Sequence, residues 1–288
     1  MSAVPSLSGM SSDHFDIEVD LLLEAIFLRY HYDFRGYAKA SVRRRIHAAL
    51  ASMRLESVSA LQHEILGDPA QFTRLLHHLT VHVSELFRDP PFWKDFRERV
   101  VPELATYPTP RIWIAGASTG EEVYSVAIVL AEEGLLERAF IYATDIAPEA
   151  LEKARDGVYP LERFIPFAEN HRRSGGRVPL SRWCTSGTDH LKFDRRLSDR
   201  VVFSDHSLAT DNVFAEVQAV LCRNVLIYFD HPLQERALNL FEEALSRRGF
   251  LGLGATESLT RSSKRRTFEP FAPETKWFRR RTEEATRP

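Results

Sequence analysis

Seven residues, Gly116-Ala117-Ser118-Thr119-Gly120-Glu121-Glu122, separate a short apolar run ending at Ala115 from an amphipathic stretch starting at Val123. Glycines in such a turn let the backbone bend sharply and approach a ligand closely. The turn is no P-loop, since no lysine follows the second glycine, and it does not fit GxGxxG. Glu121 and Glu122 would repel a pyrophosphate. They suit a cationic or hydroxyl-rich ligand, or else simply complement the positive end of a helix. Further on, Thr144-Asp145 closes a second apolar run, where a carboxylate is placed to accept both hydroxyls of a ribose, or alternatively to cap a helix at Pro148. A third feature is Cys222-Arg223-Asn224, directly after a buried-looking run and followed by Tyr228 within apolar neighbours; its amide could read a polar ligand edge, while Tyr228 could equally be core filler. A glycine turn without a phosphate pattern, joined to a ribose carboxylate, favours a nucleoside without phosphates, and S-adenosylmethionine (SAM) is the candidate.

These residues need a sheet to position them. From Arg111 short apolar runs (111–115, 140–144, 201–203, 217–222, 250–253, 277–279) alternate with amphipathic helices over 123–133, 148–155 and 233–247. That rhythm predicts a doubly wound, mostly parallel sheet, in which ligands bind past the carboxyl ends of the strands. The stretch 158–200, charged and glycine-broken, interrupts it as an insertion. The first hundred residues predict helices instead. Ile17, Leu21, Ala25 and Leu28 share one helical stripe, as do Val42, Ile46, Ala49, Leu50 and Met53. Ser57 predicts an N-cap, and Asp68-Pro69 and Asp89-Pro90 each read as a cap followed by proline at the first helical position.

Composition excludes other classes. The 288 residues are 44% hydrophobic and 27% charged, with a net charge of −2, so neither disorder nor bulk polyanion binding is expected. Two cysteines, Cys184 and Cys222, make no disulfide framework or CxxC pair, and no apolar run approaches the ~20 residues needed to span a bilayer. With no recognisable secretion signal, the expectation is a cytoplasmic protein without membrane insertion. His78 and His82 lie a helical turn apart, but no HExxH or third ligand accompanies them, so no metal is expected.

Three blocks, WIAGASTGEEVYSVAI (113–128), ATDIAPEALEKARDGVY (143–159) and CRNVLIYFD (222–230), resemble the signature blocks of CheR-type chemotaxis receptor methyltransferases. The segment LTVHVSELFRDPPFW (79–93) is similar to the family's TxNxTxFFRD stretch, and the resemblance covers roughly 16–281. It implies an N-terminal all-α helical bundle (14–100), a linker (101–110) and a Rossmann-like α/β SAM-dependent methyltransferase domain (111–281) with a small inserted β-subdomain (158–200). The implied activity is methyl transfer from SAM to glutamate side-chain carboxylates of receptors, leaving S-adenosylhomocysteine. Position by position, the resemblance implies that His82, Ser84 and Arg88 reach the cofactor from the front half. Gly116 and Glu122 would meet it from the glycine turn, Asp145 would hold the ribose, and Ser207 and Leu208 would lie by the adenine. Arg223 and Asn224 would bind near the methionine or adenosyl portion. Arg88 would orient the substrate carboxylate and Tyr228 would face the transfer centre.

The sequence departs from the family pattern at His82 (usually Asn), Ser84 (usually Thr), Ser207 (commonly Asn) and Ala255, in GATES where GHSES is frequent. A basic helix with Lys39, Arg43, Arg44 and Arg45 is either a solvated face or, as the resemblance implies, the docking face for acidic receptor helices. No helix-turn-helix or net positive charge supports a nucleic-acid partner, and a monomer is expected. Two alternatives stand beside the receptor methyltransferase: a SAM-binding sensor without turnover, and a carboxyl methyltransferase acting on another protein.

Overall fold

Residues 10–81 and 84–282 are described in the computed structural model, and they divide into two units: 10–81 with 228–233, and 84–227 with 234–282. The first unit is helical. Its helices are α1 (Met10–Tyr30), α2 (Lys39–Met53), α3 (Val58–Gly67) and α4 (Pro69–Leu79). Ser57 is extended and its side chain accepts from Ala60 N at 3.1 Å. Asp68 accepts from Ala70 N at 2.9 Å with Pro69 opening the helix, so both of these caps form as expected. The bundle closes over Val42, Ile46 and Ala49 of α2, Leu61 and Ile65 of α3, and Phe72, Leu75, Leu76 and Leu79 of α4.

Helix α1 turns the other way from its sequence stripe. Ile17, Leu21 and Leu28 are 58%, 59% and 67% exposed, whereas Val19, Leu22, Leu23 and Ile26 are buried. The helix is apolar on two sides, and its charged residues choose between them. Glu18 accepts from the backbone and hydroxyl of Ser59 at the start of α3, while Asp16 and Asp20 pair with Arg43 (3.0 Å) and Lys39 (3.4 Å) of α2. Those contacts accompany the rotation that buries Val19, Leu22, Leu23 and Ile26 and leaves the stripe to solvent. Residues 228–233 join this unit through the backbone: Ala38 N donates to Tyr228 O and Asp230 N to Gly36 O, each at 2.8 Å.

The second unit opens with α5 (Pro90–Asp95), a π-helical turn over 96–100 and α6 (Val101–Leu104). Asp89 does not cap α5 as its dipeptide suggested. It is left-handed (φ 58°), makes no capping bond, and its carboxylate is drawn to Arg223 instead. The strands are β1 (Arg111–Ala115), β2 (Phe140–Asp145), β6 (Val201–Asp205), β7 (Val217–Cys222), β8 (Leu245–Leu253), β9 (Phe268–Ala272) and β10 (Trp277–Arg280). They form one seven-stranded sheet in the order β6-β2-β1-β7-β8-β10-β9. The pairs from β6 through β8 are parallel and the last two antiparallel. Every residue of β7 is buried, as a strand covered on both faces requires. Helices α7 (Glu121–Glu132), α8 (Pro148–Asp156) and α10 (His231–Ala244) follow β1, β2 and β7.

Two sequence expectations fail at the far edge. Strand β9 was hidden by Pro270, which a strand tolerates at a sheet edge. Helix α10 stops at Ala244 rather than 247, because Leu245 is already paired opposite Val217 and the chain bulges there before Arg248 (φ 62°). The insertion folds as β3 (Val158–Pro160), α9 (Phe164–Arg173), β4 (Cys184–Ser186) and β5 (His190–Phe193), with an antiparallel three-stranded sheet ordered β3-β5-β4. An N-terminal all-α unit and a Rossmann-like α/β unit with a small β-insertion are therefore what the chain builds. Among the described residues no helix is long and apolar enough to cross a membrane.

Candidate functional site

Strand β1 lies between β2 and β7, so the chain leaves it in opposite directions on either side, and a crevice opens beyond the strand ends there. The turn after β1 lines it. Gly116 N and Ala117 N donate to Thr144 O at 2.8 and 2.9 Å, which pins the turn to the end of β2. Gly116 has φ 82°, and a Cβ there would collide with Cγ2 of Val225, so glycine is required twice over. Asp145 closes β2. Its two oxygens accept from Ser118 N (2.8 Å) and Ala147 N (3.0 Å), each retaining a lone pair for a hydroxyl donor. It therefore braces the glycine turn rather than capping α8, whose cap is Ala147. Burial pushes the Asp145 carboxyl up from its ordinary value, against the backbone N–H groups that lower it.

The two glutamates at the start of α7 have different duties. Glu121 is fully buried and receives Arg163 of the insertion (2.6 Å) and the Thr119 hydroxyl (2.7 Å). Glu122 accepts from Arg223 at 3.0 Å, and burial raises its pKa while Arg223 opposes the rise. Arg223 has a side chain only 1% exposed. It also donates to Asp89 (2.8 Å) and Arg88 O (3.0 Å) and lies 4.1 Å from the Phe92 ring centre. Its guanidinium is thus taken up by the protein, joining the start of α7 to the segment before α5. Asn224, next in sequence, is left-handed (φ 60°) and half-buried, and among the described residues its side-chain amide has no hydrogen-bond partner.

Residues 84–89 form a strap with bonds at nearly every position. Ser84 O accepts from Arg163, Leu86 O from Asn170 (3.1 Å), and Phe87 N donates to Ser125 Oγ (2.8 Å). Arg88 O accepts from Trp93 Nε1 (2.9 Å) as well as Arg223. Phe87 and Asp89, on either side of Arg88, are both left-handed, and the half-buried Arg88 guanidinium has no ion pair among the described residues. On the other side, His206 N donates to Asp145 O (3.2 Å) and brings Ser207 and Leu208 beside the end of β2. Ser207 N is held by Asp211 (2.9 Å) and Leu208 is buried. His82 lies outside the described residues.

Gly116, Glu122, Asp145, Ser207, Leu208, Arg223, Asn224, Ser84 and Arg88 thus all belong to the second unit. Tyr228 belongs to the first, where the Arg45 guanidinium sits 4.6 Å from its ring centre. Arg45 itself is buried and donates to Leu79 O, so it is no part of the solvent-facing basic surface the sequence suggested. Lys39 and Arg43 are on that surface but paired with Asp20 and Asp16; Arg44 is exposed without an ion pair among the described residues.

Three structural residues were missed in the sequence. Glu257, in GATES, accepts from four backbone N–H groups around Asn224. Arg163 and Tyr159 of the insertion brace the glycine turn, the latter through its hydroxyl to Thr119 O (2.7 Å). The ESL after GAT offered a signal for Glu257, a lone acid in an apolar-to-polar turn. Arg163 offered none.

A turn without lysine, the Asp145 carboxylate at the end of β2, an acidic helix start and an amide without a hydrogen-bond partner among the described residues are compatible with a cationic nucleoside such as SAM. They define a nucleoside-binding α/β protein of the methyltransferase type. The family described as CheR methyltransferase, SAM binding domain, matches residues 82–275, and that described as CheR methyltransferase, all-alpha domain, matches residues 17–80. The chain belongs to the CheR methyltransferase family and is a SAM-dependent methyltransferase. It is 51% identical over 94% of its length to a protein named Cher3 from Pseudomonas putida, covering 99% of that protein. It is also 30% identical to a chemotaxis protein methyltransferase of Vibrio parahaemolyticus, over 76% of this chain and 81% of the other. With one from Salmonella typhimurium the identity is 33%, over 66% and 65% respectively.

Proposed function

We propose that this methyltransferase esterifies glutamate side chains on the acidic helices of a chemotaxis-type receptor. The observation that carries the reading is Arg88: a half-buried guanidinium in the strap, without an ion pair among the described residues, is suited to receive a carboxylate. When bound, SAM supplies a methyl group on a cationic sulfur, open to in-line displacement. A glutamate, with an ordinary pKa of about 4.3, is ionised near neutral pH and needs no general base. What the chain must supply is alignment and exclusion of water, and alignment alone can contribute up to ~7–11 kcal/mol in ideal cases. Arg88 orients the acceptor carboxylate. Glu122, Asp145, Asn224, Ser207 and Leu208 hold the nucleoside, with Arg223 organising Glu122 and the Arg88 strap around it. Tyr228, braced by Arg45 in its own unit, is the second residue we assign to the transfer step. The names of the Vibrio and Salmonella relatives support the choice of a chemotaxis substrate.

The test is transfer of radiolabelled methyl from SAM to receptor-containing membranes, scored as base-labile volatile methanol. Label that vanishes with Asp145→Ala supports a carboxyl methyl ester made at this site. SAM binding without label would turn the reading toward a sensor or a different protein substrate.

A further inference from the structure

The carboxylate of Glu257 is almost wholly buried and is surrounded by backbone amides instead of a cation. Its Oε2 accepts from Gly254 N (2.6 Å) and Asn224 N (3.0 Å), and its Oε1 from Leu226 N (2.8 Å) and Val225 N (2.9 Å). Among the described residues no Lys, Arg or His forms a salt bridge with it. Three consecutive N–H groups, 224 to 226, therefore point to one spot, the concave arrangement that ordinarily captures an external anion. Here the anion is built into the chain, thirty-odd residues downstream. Gly254 belongs to the same device: a Cβ there would stand 2.7 Å from Glu257 Oε2 and 2.8 Å from Asn224 N.

We infer that Glu257 is a positioning residue for cofactor binding, acting through Asn224. With φ 60°, Asn224 sits in the left-handed region, which Asn tolerates better than most residues, and the bonds from 224–226 to Glu257 hold the turn there. They leave the Asn224 side-chain amide, which has no hydrogen-bond partner of its own among the described residues, lying over Gly254, where a Cβ would stand 2.9 Å from its Nδ2. The inference rests on the reading of the crevice beyond β1 and β7 as the SAM site.

Glu257→Gln keeps the shape but turns one of the two acceptor oxygens into an NH2 donor facing two N–H groups. Titration calorimetry with SAM, on the whole 288-residue chain, should then show binding weakened about tenfold or more, the scale expected when buried donors lose their acceptor. Steady-state kinetics should show KM for SAM rising by a similar factor while kcat changes less, as for loss of uniform binding. The decisive comparison is a double-mutant cycle. In an Asn224→Ala background Glu257→Gln should weaken binding by less than about threefold, because its effect passes through the side chain already removed. Effects that multiply in full would overturn the inference, as would an unchanged dissociation constant in the single variant. Should Glu257→Gln fail to give a cooperative melt, Glu257→Asp keeps the charge but withdraws the oxygens from the N–H groups of 224–226 and should weaken SAM binding likewise; unaltered binding there also counts against the inference. If the unmodified chain itself does not bind SAM, the reading of the crevice fails, and that outcome is separate from any of these.

Discussion

Arg223 donates to Glu122 at 3.0 Å from a side chain that is 1% exposed, and with its other nitrogen it holds Asp89 at 2.8 Å. A single guanidinium thereby joins the helix that starts at the glycine turn to the strap carrying Arg88. Removing it leaves Glu122 buried and unpaired. Arg223→Met should destabilise the chain by about 3–5 kcal/mol, the usual cost of breaking a buried pair from one side. Chemical denaturation would measure it, and a loss under about 1 kcal/mol would show that the clamp carries no stability. Arg223→Lys should recover only part of the loss, since an ammonium cannot make the same fork of bonds.

Arg88 offers a cleaner test of turnover because its guanidinium forms no ion pair among the described residues. Arg88→Ala should lower kcat/KM for receptor methylation by about tenfold or more, which is ~1.4 kcal/mol of transition-state stabilisation. A value within about threefold of the unmodified chain would remove Arg88 from the mechanism.

The basic surface of α2 is narrower than its sequence suggests. Reversing Arg43, Arg44 and Arg45 together would unseat the buried Arg45 from Leu79 O and Tyr228, so lost activity would say nothing about docking. Arg44→Glu alone is the informative change. It should slow methylation of receptor, more so at low salt, and leave SAM affinity unchanged. Equal activity toward receptor at low and high salt in both chains would rule out an electrostatic docking role.

Acid sensitivity should be concentrated at Glu132. Burial raises its pKa, but the hydrogen bond and charge of His171, with Arg97 at 2.6 Å, outweigh burial and hold the carboxyl at about 2. Its folded value is thus below the unfolded one, so its contribution is full above about pH 4.5 and fades as the pH falls toward 2. Glu132→Gln should flatten the acid limb of a stability-against-pH curve in that window while lowering stability at neutral pH. An acid limb of unchanged slope would mean that other carboxylates govern acid unfolding.

The α1 reversal has a thermodynamic signature. Leu21→Ser, on the exposed stripe, should change stability by no more than about 0.5 kcal/mol, while Leu22→Ala, fully buried one residue on, should cost about 2–5 kcal/mol. Fluorescence-monitored urea unfolding of the two variants would decide it. Equal losses would mean that both faces of α1 are covered.

Much of the architecture was legible from local rules. Ser57 and Asp68 satisfy the first N–H groups of their own helices through neighbours two or three residues away, so spacing alone foretold them. Alternating apolar runs and helices foretold the parallel sheet, and with it the crevice where Gly116, Asp145 and Asn224 collect, because a strand's exit point follows from its own boundaries. Asp89 shows where that reasoning stops. The same Asp-Pro signature that caps α4 does not cap α5, because a buried Arg223, far along the chain, competes for the carboxylate with a charge-assisted bond.

The sequence by itself determined the order of elements, the strand switch beside β1 and the residue types gathered there, since these depend on contacts within a few residues and on hydrophobic period. Only the tertiary structure decided which face of α1 is buried, that Arg45 and Arg223 are structural guanidiniums, that Arg163 braces the Ser84 strap, and that Glu257 holds the Asn224 turn. Apart from the face of α1, each of those outcomes turns on a charged group, itself buried or paired with a buried one, finding partners dozens of residues away. Burial makes such a charge costly unless it is paired, and no local pattern announces which distant group will pair with it.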